Sequence, residues 1–144
     1  GTGDLRFGTW AFGAAGVLFV VRPADGPPEV MLQMRSAFSH EGGPWSVAGG
    51  AIDEGESPYE AALREASEEV GHAPDEHEVI GEYVFAPAVD WSYTTVVVEV
   101  GRRFGESMNF ETDEVAWVAI DDVDHRPLHP GFAAWPHLRA IVTA

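Results

Sequence analysis

The 144-residue sequence predicts an α/β (α+β) fold in which a mixed β-sheet is covered by helices. Apolar runs of strand length recur along the chain, one strongly marked helix interrupts them, and a second helix closes the chain. Hydrophobic residues make up 45% of the sequence, which is enough for one sizeable core. No linker, repeat or low-complexity segment divides it, so we expect a single domain over residues 1–144.

The first predicted elements are two strands that form a hairpin. Residues 14–21 (AAGVLFVV) are apolar without alternation, which indicates a strand buried on both faces. An Asp-Gly turn and two prolines follow, and residues 29–35 (EVMLQMR) return as the second strand. A polar loop at 36–45 leads into short extended structure that we expect to break at Gly49 and Gly50.

Residues 58–70 are the best-marked helix in the sequence. Ser57 is a favourable N-cap, Pro58 stands at the first helical position, and Glu60 completes a capping box with Ser57. Gly71 is placed to end the helix. The apolar residues between these ends recur at i, i+3, i+4 and i+7, which predicts one buried face. This face consists of Tyr59, Ala62, Leu63, Ala66 and Val70.

Three strands and one helix are expected beyond Gly71. The strands are 78–86, 94–100 and 115–120, each rich in β-branched or aromatic residues. Residues 131–142 predict a short C-terminal helix, which a proline at position 136 either limits or starts. Strands interrupted by one helix and closed by another complete the predicted fold class.

Charge and residue types exclude several classes of protein. The chain has 24 acidic residues against 8 basic ones, for a net charge of −16, which disfavours nucleic-acid polymers and anionic membranes as partners. The apolar stretch 10–21 is too short to span a bilayer, and we interpret it as a buried strand rather than a targeting segment. Cysteine is absent, so oxygen or imidazole would hold any metal. This composition agrees with a cytoplasmic location, which we expect.

Three glutamates crowd one side of the predicted helix: Glu65, Glu68 and Glu69. Like charges at this spacing repel one another by about 0.2–0.5 kcal/mol per pair. At about 100° per residue the three share a flank beside the buried face, where a cleft between helix and sheet can form. Converging carboxylates there suit a hard cation such as Mg²⁺. The alternative is a solvated acidic face, in which Arg64 pairs with Glu60 and Glu68.

The spacing around these glutamates resembles the Nudix box, the signature of the Nudix hydrolases. The box reads Gly, five residues, Glu, seven residues, Arg-Glu, an aliphatic, any residue, Glu-Glu, any residue, Gly, an aliphatic. Residues 50–72 (GAIDEGESPYEAALREASEEVGH) fill its fixed positions with Gly50, Glu56, Arg64, Glu65, Glu68, Glu69 and Gly71. Ala66 and His72 stand at the aliphatic positions, and Ala48 replaces a proline that many relatives carry. None of these departures removes a carboxylate.

The resemblance implies the Nudix fold, a mixed sheet sandwiched between helices with a loop-helix-loop catalytic motif. It also implies one to three Mg²⁺ or Mn²⁺ ions, held by the three helix carboxylates and a backbone carbonyl. These ligands are Gly50, Glu65, Glu68 and Glu69. A further ligand is expected from Glu111 or Glu114, ahead of a later strand, for which the alternative is a solvated loop.

Catalytic roles follow from the same resemblance. Glu65 serves as a ligand or as the general base, and Glu68 is a second catalytic candidate, because relatives place the base differently. Arg64 is expected to orient Glu65 or Glu68 rather than to touch the substrate. Glu56 is expected to support the start of the helix.

Several residues are candidates for binding the substrate. Arg35, at the end of the second strand, either contacts a phosphate or forms a surface ion pair. Phe38, Trp91 and Tyr93 either stack on a base or belong to the core. Pro87, fifteen residues beyond the box, resembles a fingerprint of ADP-ribose pyrophosphatases.

These features favour Mg²⁺-dependent hydrolysis of a phosphoanhydride bond in a nucleoside diphosphate linked to another group. ADP-ribose-like compounds and normal or oxidised nucleoside triphosphates are the expected substrates, and a homodimer is an assembly that the resemblance allows. The alternative is a non-catalytic nucleotide-sensing module, which should show a damaged box. An isomerase of isoprenoid diphosphates would require a cysteine, which the chain lacks. An acidic protein without a metal site would require an accidental match to the box.

Overall fold

The computed structural model describes residues 13–35, 43–108 and 112–144. These residues form strands and helices in an order close to the predicted one. The strands are β1 (Ala14–Val21), β2 (Glu29–Met34), β3 (Trp45–Ser46), β4 (Ala48–Ala51), β5 (His77–Ala88), β6 (Trp91–Val100) and β7 (Glu114–Ala119). The helices are α1 (Pro58–Glu69) and α2 (Trp135–Thr143), with 3₁₀ turns at Ile120–His125 and Pro130–Phe132.

Within the described ranges the strands form a seven-stranded mixed sheet in the order β3-β2-β1-β6-β5. β4 also pairs with β1, and β7 with β2. β1 runs parallel to β6 and antiparallel to its other neighbours. All eight residues of β1 are buried, as its unbroken apolar sequence predicts. The predicted mixed sheet is therefore confirmed.

Two hydrophobic clusters lie on opposite faces of this sheet. Val17 and Phe19 of β1 pack on the α1 side, whereas Leu18 and Val20 pack on the α2 side with Leu138. This division follows from the alternation of side chains along a strand. The sheet is thus sandwiched between helices, which confirms the predicted fold class. No helix in the described parts of the chain is both long and apolar enough to cross a membrane.

The ends of α1 agree with the sequence prediction. The Glu60 amide donates to the Ser57 hydroxyl at 3.1 Å, and the Ser57 amide donates to the Glu60 carboxylate at 2.9 Å, so the capping box is complete. Gly71 ends the helix with a φ of +112°, a conformation that favours glycine. The loops on either side of α1 complete the expected loop-helix-loop.

The predicted buried face of α1 is only partly correct. Tyr59 and Leu63 are partly exposed, whereas Ala61 is fully buried together with Ala62 and Ala66. The face is therefore rotated towards the side of the helix that carries two of the glutamates. The alanines allow close packing on β1 and β4, which brings the longer acidic side chains against the sheet.

Three other expectations need correction. Extended structure is interrupted at Val47, and β4 runs through both Gly49 and Gly50. The pairing of β1 with β2 covers only two residue pairs, because β1 pairs mainly with β6 and β4. The connection that we expected between the predicted strands 78–86 and 94–100 is mostly strand, since β5 and β6 are joined by a two-residue turn. The proline at position 136 lies in the first turn of α2 and marks its start.

Candidate active site

Two glutamates of α1 face the glycine pair of β4. Glu65 and Glu69 lie four residues apart, and only 7% and 6% of their surfaces are exposed. The Gly49 amide donates to Glu69 Oε1 at 3.3 Å. A Cβ on Gly50 would lie 2.5–2.8 Å from the carboxyl atoms of Glu65. Glycine at these positions therefore leaves space for two carboxylates between helix and sheet.

Glu69 is held by three donors that all use its Oε1 atom. Arg35 Nη2 lies at 3.0 Å, Gln33 Nε2 at 3.1 Å and the Gly49 amide at 3.3 Å. Burial raises the pKa of the Glu69 carboxyl above its ordinary value, and these three donors offset only part of that effect. Arg35 therefore forms an ion pair with a buried carboxylate rather than the surface ion pair considered from the sequence.

Arg64 connects the loop before α1 to the helix. Its guanidinium donates twice to Glu56, at 2.7 and 2.9 Å, and once to Glu65 Oε1 at 3.0 Å. It also donates to the Ala51 carbonyl at 3.1 Å and lies 3.3 Å from Asp53. A planar guanidinium can satisfy acceptors in several directions at once, which an ammonium group cannot do with the same geometry. This arrangement fits the predicted orienting role of Arg64 towards Glu65.

Replacing Glu56 with glutamine should destabilise the protein at pH 7 but not in acid. Hydrogen bonds from Arg64 lower the pKa of Glu56 to about 2, so the ionised carboxylate stabilises the fold. This contribution is present above the ordinary value of 4.5 and is lost as the pH falls towards about 2. We expect a loss of about 1 kcal/mol at pH 7, or roughly 2–4 °C in melting temperature, after allowance for solvent screening.

Thermal melts of both proteins between pH 3 and pH 7 would check this expectation. Glu78, exposed at the start of β5, offers a control because Glu78→Gln removes the same charge at a residue that is not among the acidic partners found for Arg64. A difference between wild type and Glu56→Gln that stays constant over this pH range would show that the ion pair does not stabilise the fold.

The predicted convergence of three helix carboxylates is not observed. The Glu68 side chain is 58% exposed and lies 3.7 Å from Arg64, because its position is turned about 100° from Glu69 around the helix. Glu114 begins β7 opposite Met34 and is exposed. Glu111 lies outside the described residues. In the ranges that the structure covers, no group of three or more His, Asp or Glu side chains is arranged to hold a metal ion.

The donor set nevertheless fits a hard divalent cation. Glu65 and Glu69 supply carboxylate oxygens, the ligands that Mg²⁺ and Mn²⁺ prefer, and the chain has no thiolate. Arg64 and Arg35 balance the charge of these two carboxylates. Burial raises the pKa of Glu69, and buried acids with shifted pKa values occur at functional sites more than in packed cores.

A cavity of about 500 Å³ lies on the α2 side of the sheet and reaches the glycine pair. Gly49, Gly50 and Arg35 line one end of it, next to the buried carboxylates. Rings supplied by β5, β6 and the C-terminal segment line the rest. These include Tyr83, Phe85, Trp91, Tyr93, Phe132 and His137. A cavity of this size with an aromatic lining can enclose a nucleobase.

The predicted substrate-binding residues fall at this cavity where the structure describes them. Trp91 and Tyr93 both line it, whereas Phe38 lies outside the described residues. A Cβ on Gly16 or Gly49 would clash with the Tyr93 hydroxyl, so these glycines make room for the phenol. Burial, and then the charge of Glu69, raise the pKa of Tyr93, which keeps the hydroxyl protonated.

Sequence reasoning missed several residues of the site. Gln33 donates to Glu69, and its signal was a polar side chain within an apolar strand. Tyr83 and His137 stack with their ring centroids 4.3 Å apart and an interplanar angle of 6°. No local pattern relates these two residues, because β5 and α2 are brought together only by the folded chain.

Comparisons with known proteins agree on one family. The family model of the NUDIX domain matches residues 13–136. The protein named "Putative 8-oxo-dGTP diphosphatase 3" in Mycobacterium tuberculosis is 46% identical over 134 residues, a match that covers 89% of this chain and 62% of that protein. A nucleoside triphosphate pyrophosphatase/Nudix hydrolase fusion protein of Bifidobacterium longum is 41% identical, and its match covers 89% of this chain and 28% of the fusion. The chain thus spans less than two thirds of the length of these relatives.

Solved structures support the same conclusion. The crystal structure of RenU, a Nudix hydrolase from M. smegmatis, has a TM-score of 0.80 at 37% identity, covering 91% of this chain and 85% of RenU. An Ap4A hydrolase from C. elegans has a TM-score of 0.65 at 18% identity, covering 90% and 92% of the two chains, and this likeness shows the fold alone. The resemblance drawn from residues 50–72 is confirmed, and the chain belongs to the Nudix hydrolase family.

Proposed function

We propose that this chain is a single catalytic domain that hydrolyses a phosphoanhydride bond in a nucleoside triphosphate, with Mg²⁺ or Mn²⁺ as cofactor. One observation carries the proposal: the buried carboxylates Glu65 and Glu69 lie against Gly49, Gly50 and Arg35, and these three residues line one end of a cavity whose other walls carry aromatic rings. The acidic end suits a cation and the phosphates that it binds, and the aromatic part suits a base. The substrate is thus expected to extend from one part to the other.

The proposed ligands of the cation are the buried carboxylates of Glu65 and Glu69 with the backbone carbonyl of Gly50, and the exposed Glu68 remains a predicted further ligand. A bound divalent cation neutralises phosphate charge and lowers the pKa of a bound water. Arg64 holds the Glu65 carboxylate in place through its 3.0 Å hydrogen bond. The role of general base remains a prediction for either Glu65 or Glu68, and Glu68 is the more accessible of the two.

The other site residues are proposed to bind and orient the nucleotide. Arg35 lines the cavity beside Glu69, where its guanidinium is placed to contact a phosphate. Trp91 and the stacked pair of Tyr83 and His137 offer ring faces to a base. Tyr93 presents a protonated hydroxyl, which makes it a hydrogen-bond donor rather than only a stacking surface.

The substrate class is inferred partly from the relatives. A protein of Proteus vulgaris named 8-oxo-dGTP diphosphatase is 40% identical over 58 residues, and the M. tuberculosis relative carries a similar name. These names favour normal or oxidised nucleoside triphosphates over ADP-ribose-like compounds, which remain the second candidate. A cytoplasmic location and a homodimer stay predictions from the sequence.

A panel of nucleotides would test the proposed function directly. The panel contains normal and oxidised deoxynucleoside triphosphates, ADP-ribose and a dinucleoside tetraphosphate, each with Mg²⁺ and with EDTA. We expect an oxidised or normal triphosphate to give nucleoside monophosphate and pyrophosphate, with turnover lost in EDTA. Chromatography of the products identifies the bond that is cut.

Two other outcomes would contradict this proposal. AMP and ribose 5-phosphate as the dominant products, from ADP-ribose, would assign the second substrate class. No turnover of any compound by the folded protein, combined with measurable nucleotide binding, would favour the nucleotide-sensing module.

A further inference from the structure

Gln33 is a buried amide at the centre of a chain of hydrogen bonds that ends at Glu69. Only 3% of its surface is exposed, and its neighbours in β2 are mostly apolar. Its Nε2 atom donates to Glu69 Oε1 at 3.1 Å and to the Val47 carbonyl at 3.2 Å. Its Oε1 atom accepts a hydrogen bond from the Thr112 hydroxyl at 3.0 Å. A buried amide in an apolar strand is costly unless it is satisfied in this way.

The chemistry of the partners fixes the direction of this chain. A carbonyl and a carboxylate can only accept, so the nitrogen of the Gln33 amide must face Val47 and Glu69. If the Gln33 amide were flipped, its oxygen would face the Val47 carbonyl oxygen and Glu69 Oε1, and no hydrogen bond could form. The amide oxygen therefore faces Thr112, whose hydroxyl donates to it. The two acceptors thus decide the orientation of Gln33, Thr112 holds the amide in it, and Gln33 in turn directs a donor at Glu69.

Thr112 is itself firmly placed. It is 1% exposed, and the next amide, that of Asp113, donates to the Met34 carbonyl at 2.8 Å. Glu114 then pairs with Met34 at the start of β7. The segment ahead of β7, where the sequence predicted an additional metal ligand, therefore contributes a hydroxyl that reaches the site through Gln33.

We propose that Gln33, held in place by Thr112, is a positioning residue that sets the rotation of the Glu69 carboxylate. Within the described ranges, the hydrogen bonds found for this carboxylate all end at Oε1, which leaves Oε2 for a cation. Gln33 supplies a donor with a fixed direction, whereas the long side chain of Arg35 can move when a phosphate binds. The inference rests on the proposed function, since it assigns a role at the same site.

Binding of Mn²⁺ without nucleotide tests this inference. The probe is Mn²⁺ alone, and electron paramagnetic resonance of the free ion measures its affinity for wild type, Gln33→Met, Thr112→Val and the double variant. Methionine fills a similar volume without a hydrogen bond. We expect Gln33→Met to weaken Mn²⁺ binding by about tenfold or more, as for other groups that hold a metal ligand. Thr112→Val should weaken it less, by roughly threefold, because its effect passes through Gln33.

The double variant distinguishes a connected chain from two separate effects. If Thr112 acts through Gln33, adding Thr112→Val to Gln33→Met causes no further loss of Mn²⁺ affinity. Thr112→Ser keeps the hydroxyl and should bind Mn²⁺ as wild type does. Thr94→Val is the matched control, because Thr94 is a buried threonine of β6 outside this chain of hydrogen bonds.

Each result bears on a different statement. A wild type that does not bind Mn²⁺ would contradict the metal site of the proposed function. A wild type that binds Mn²⁺, beside a folded Gln33→Met variant of equal affinity, would overturn the role of Gln33 alone. Additive losses in the double variant would also overturn it. If Gln33→Met does not fold, equal affinities of Thr112→Val and Thr112→Ser would reject the proposal, and a weaker Thr112→Val would support it.

Discussion

Replacing Glu69 with glutamine is expected to reduce Mg²⁺-dependent turnover by roughly a hundredfold or more, while the protein stays folded. The amide keeps an oxygen that can accept from Arg35, Gln33 and the Gly49 amide, so packing at the site is preserved. It lacks the negative charge that a divalent cation requires. The loss should therefore appear in turnover and in metal affinity rather than in the fold.

The stability of Glu69→Gln gives a second check with a defined sign. Burial raises the pKa of Glu69, so the stability gained with its neutral form is present at low pH and lost as the pH rises through the folded pKa. Glutamine resembles that neutral form. The melting temperature of the variant at pH 7 should therefore be no lower than that of wild type, a trade of stability for function that is common at active sites.

Kinetics and thermal melts of both proteins measure these two effects. Glu78→Gln is the control for loss of one negative charge, since Glu78 is exposed on β5. Turnover of Glu69→Gln within about threefold of wild type, well short of the loss expected for a removed metal ligand, would show that Glu69 is not one.

Much of the fold could be predicted because its signals are local. The caps of α1 depend on residues within one turn, and Ser57, Glu60 and Gly71 each take the predicted role. The unbroken apolar sequence of β1 indicates burial on both faces, and the structure shows it. Pairing was less predictable, since β1 lies parallel to the distant β6 and contacts β2 at only two residue pairs.

The position of the carboxylates could not be read from periodicity alone. Charged residues normally define the exposed side of a helix, so Glu65 and Glu69 were expected beside the buried face and not within it. They are buried because Gly49 and Gly50 leave space on β4, and Arg35 and Arg64 compensate their charge. The sequence predicts a break in the strand at this glycine pair, whereas β4 runs through both residues.

The cavity was beyond prediction for a related reason. Its lining combines residues from β5, β6 and the segment before α2, which are far apart in the sequence. Trp91 and Tyr93 were proposed from their residue type, but Tyr83 and His137 carry no such signal. Gln33 did carry a signal in the sequence: it is a polar side chain within an apolar strand, and such a side chain needs buried hydrogen-bond partners.

Alanine substitutions in the glycine pair should separate stability from catalysis. A Cβ on Gly49 would meet the Ala15 carbonyl and lie 2.6 Å from Gly16 Cα, and this backbone of β1 cannot move without disturbing the sheet. The three atoms nearest to a Cβ on Gly50 all belong to the carboxyl end of Glu65, a side chain that can rotate away. The two variants add the same methyl group at adjacent residues. A difference between their melting temperatures or turnover therefore depends on the atoms that each methyl group displaces.

We expect Gly49→Ala to lose about 3 kcal/mol of stability, the upper part of the range for overpacking, or roughly 6–12 °C in melting temperature. Gly50→Ala should melt within a few degrees of wild type but lose about 10- to 100-fold in turnover, because Glu65 is displaced from its ion pair with Arg64.

Gly26→Ala is the control, since a Cβ there meets no atom within 4 Å. Thermal melts and turnover of the three variants give both quantities. If Gly50→Ala retained full turnover, the carboxylate of Glu65 would not be needed where the structure places it, and the assignment of this residue to the metal site would be wrong.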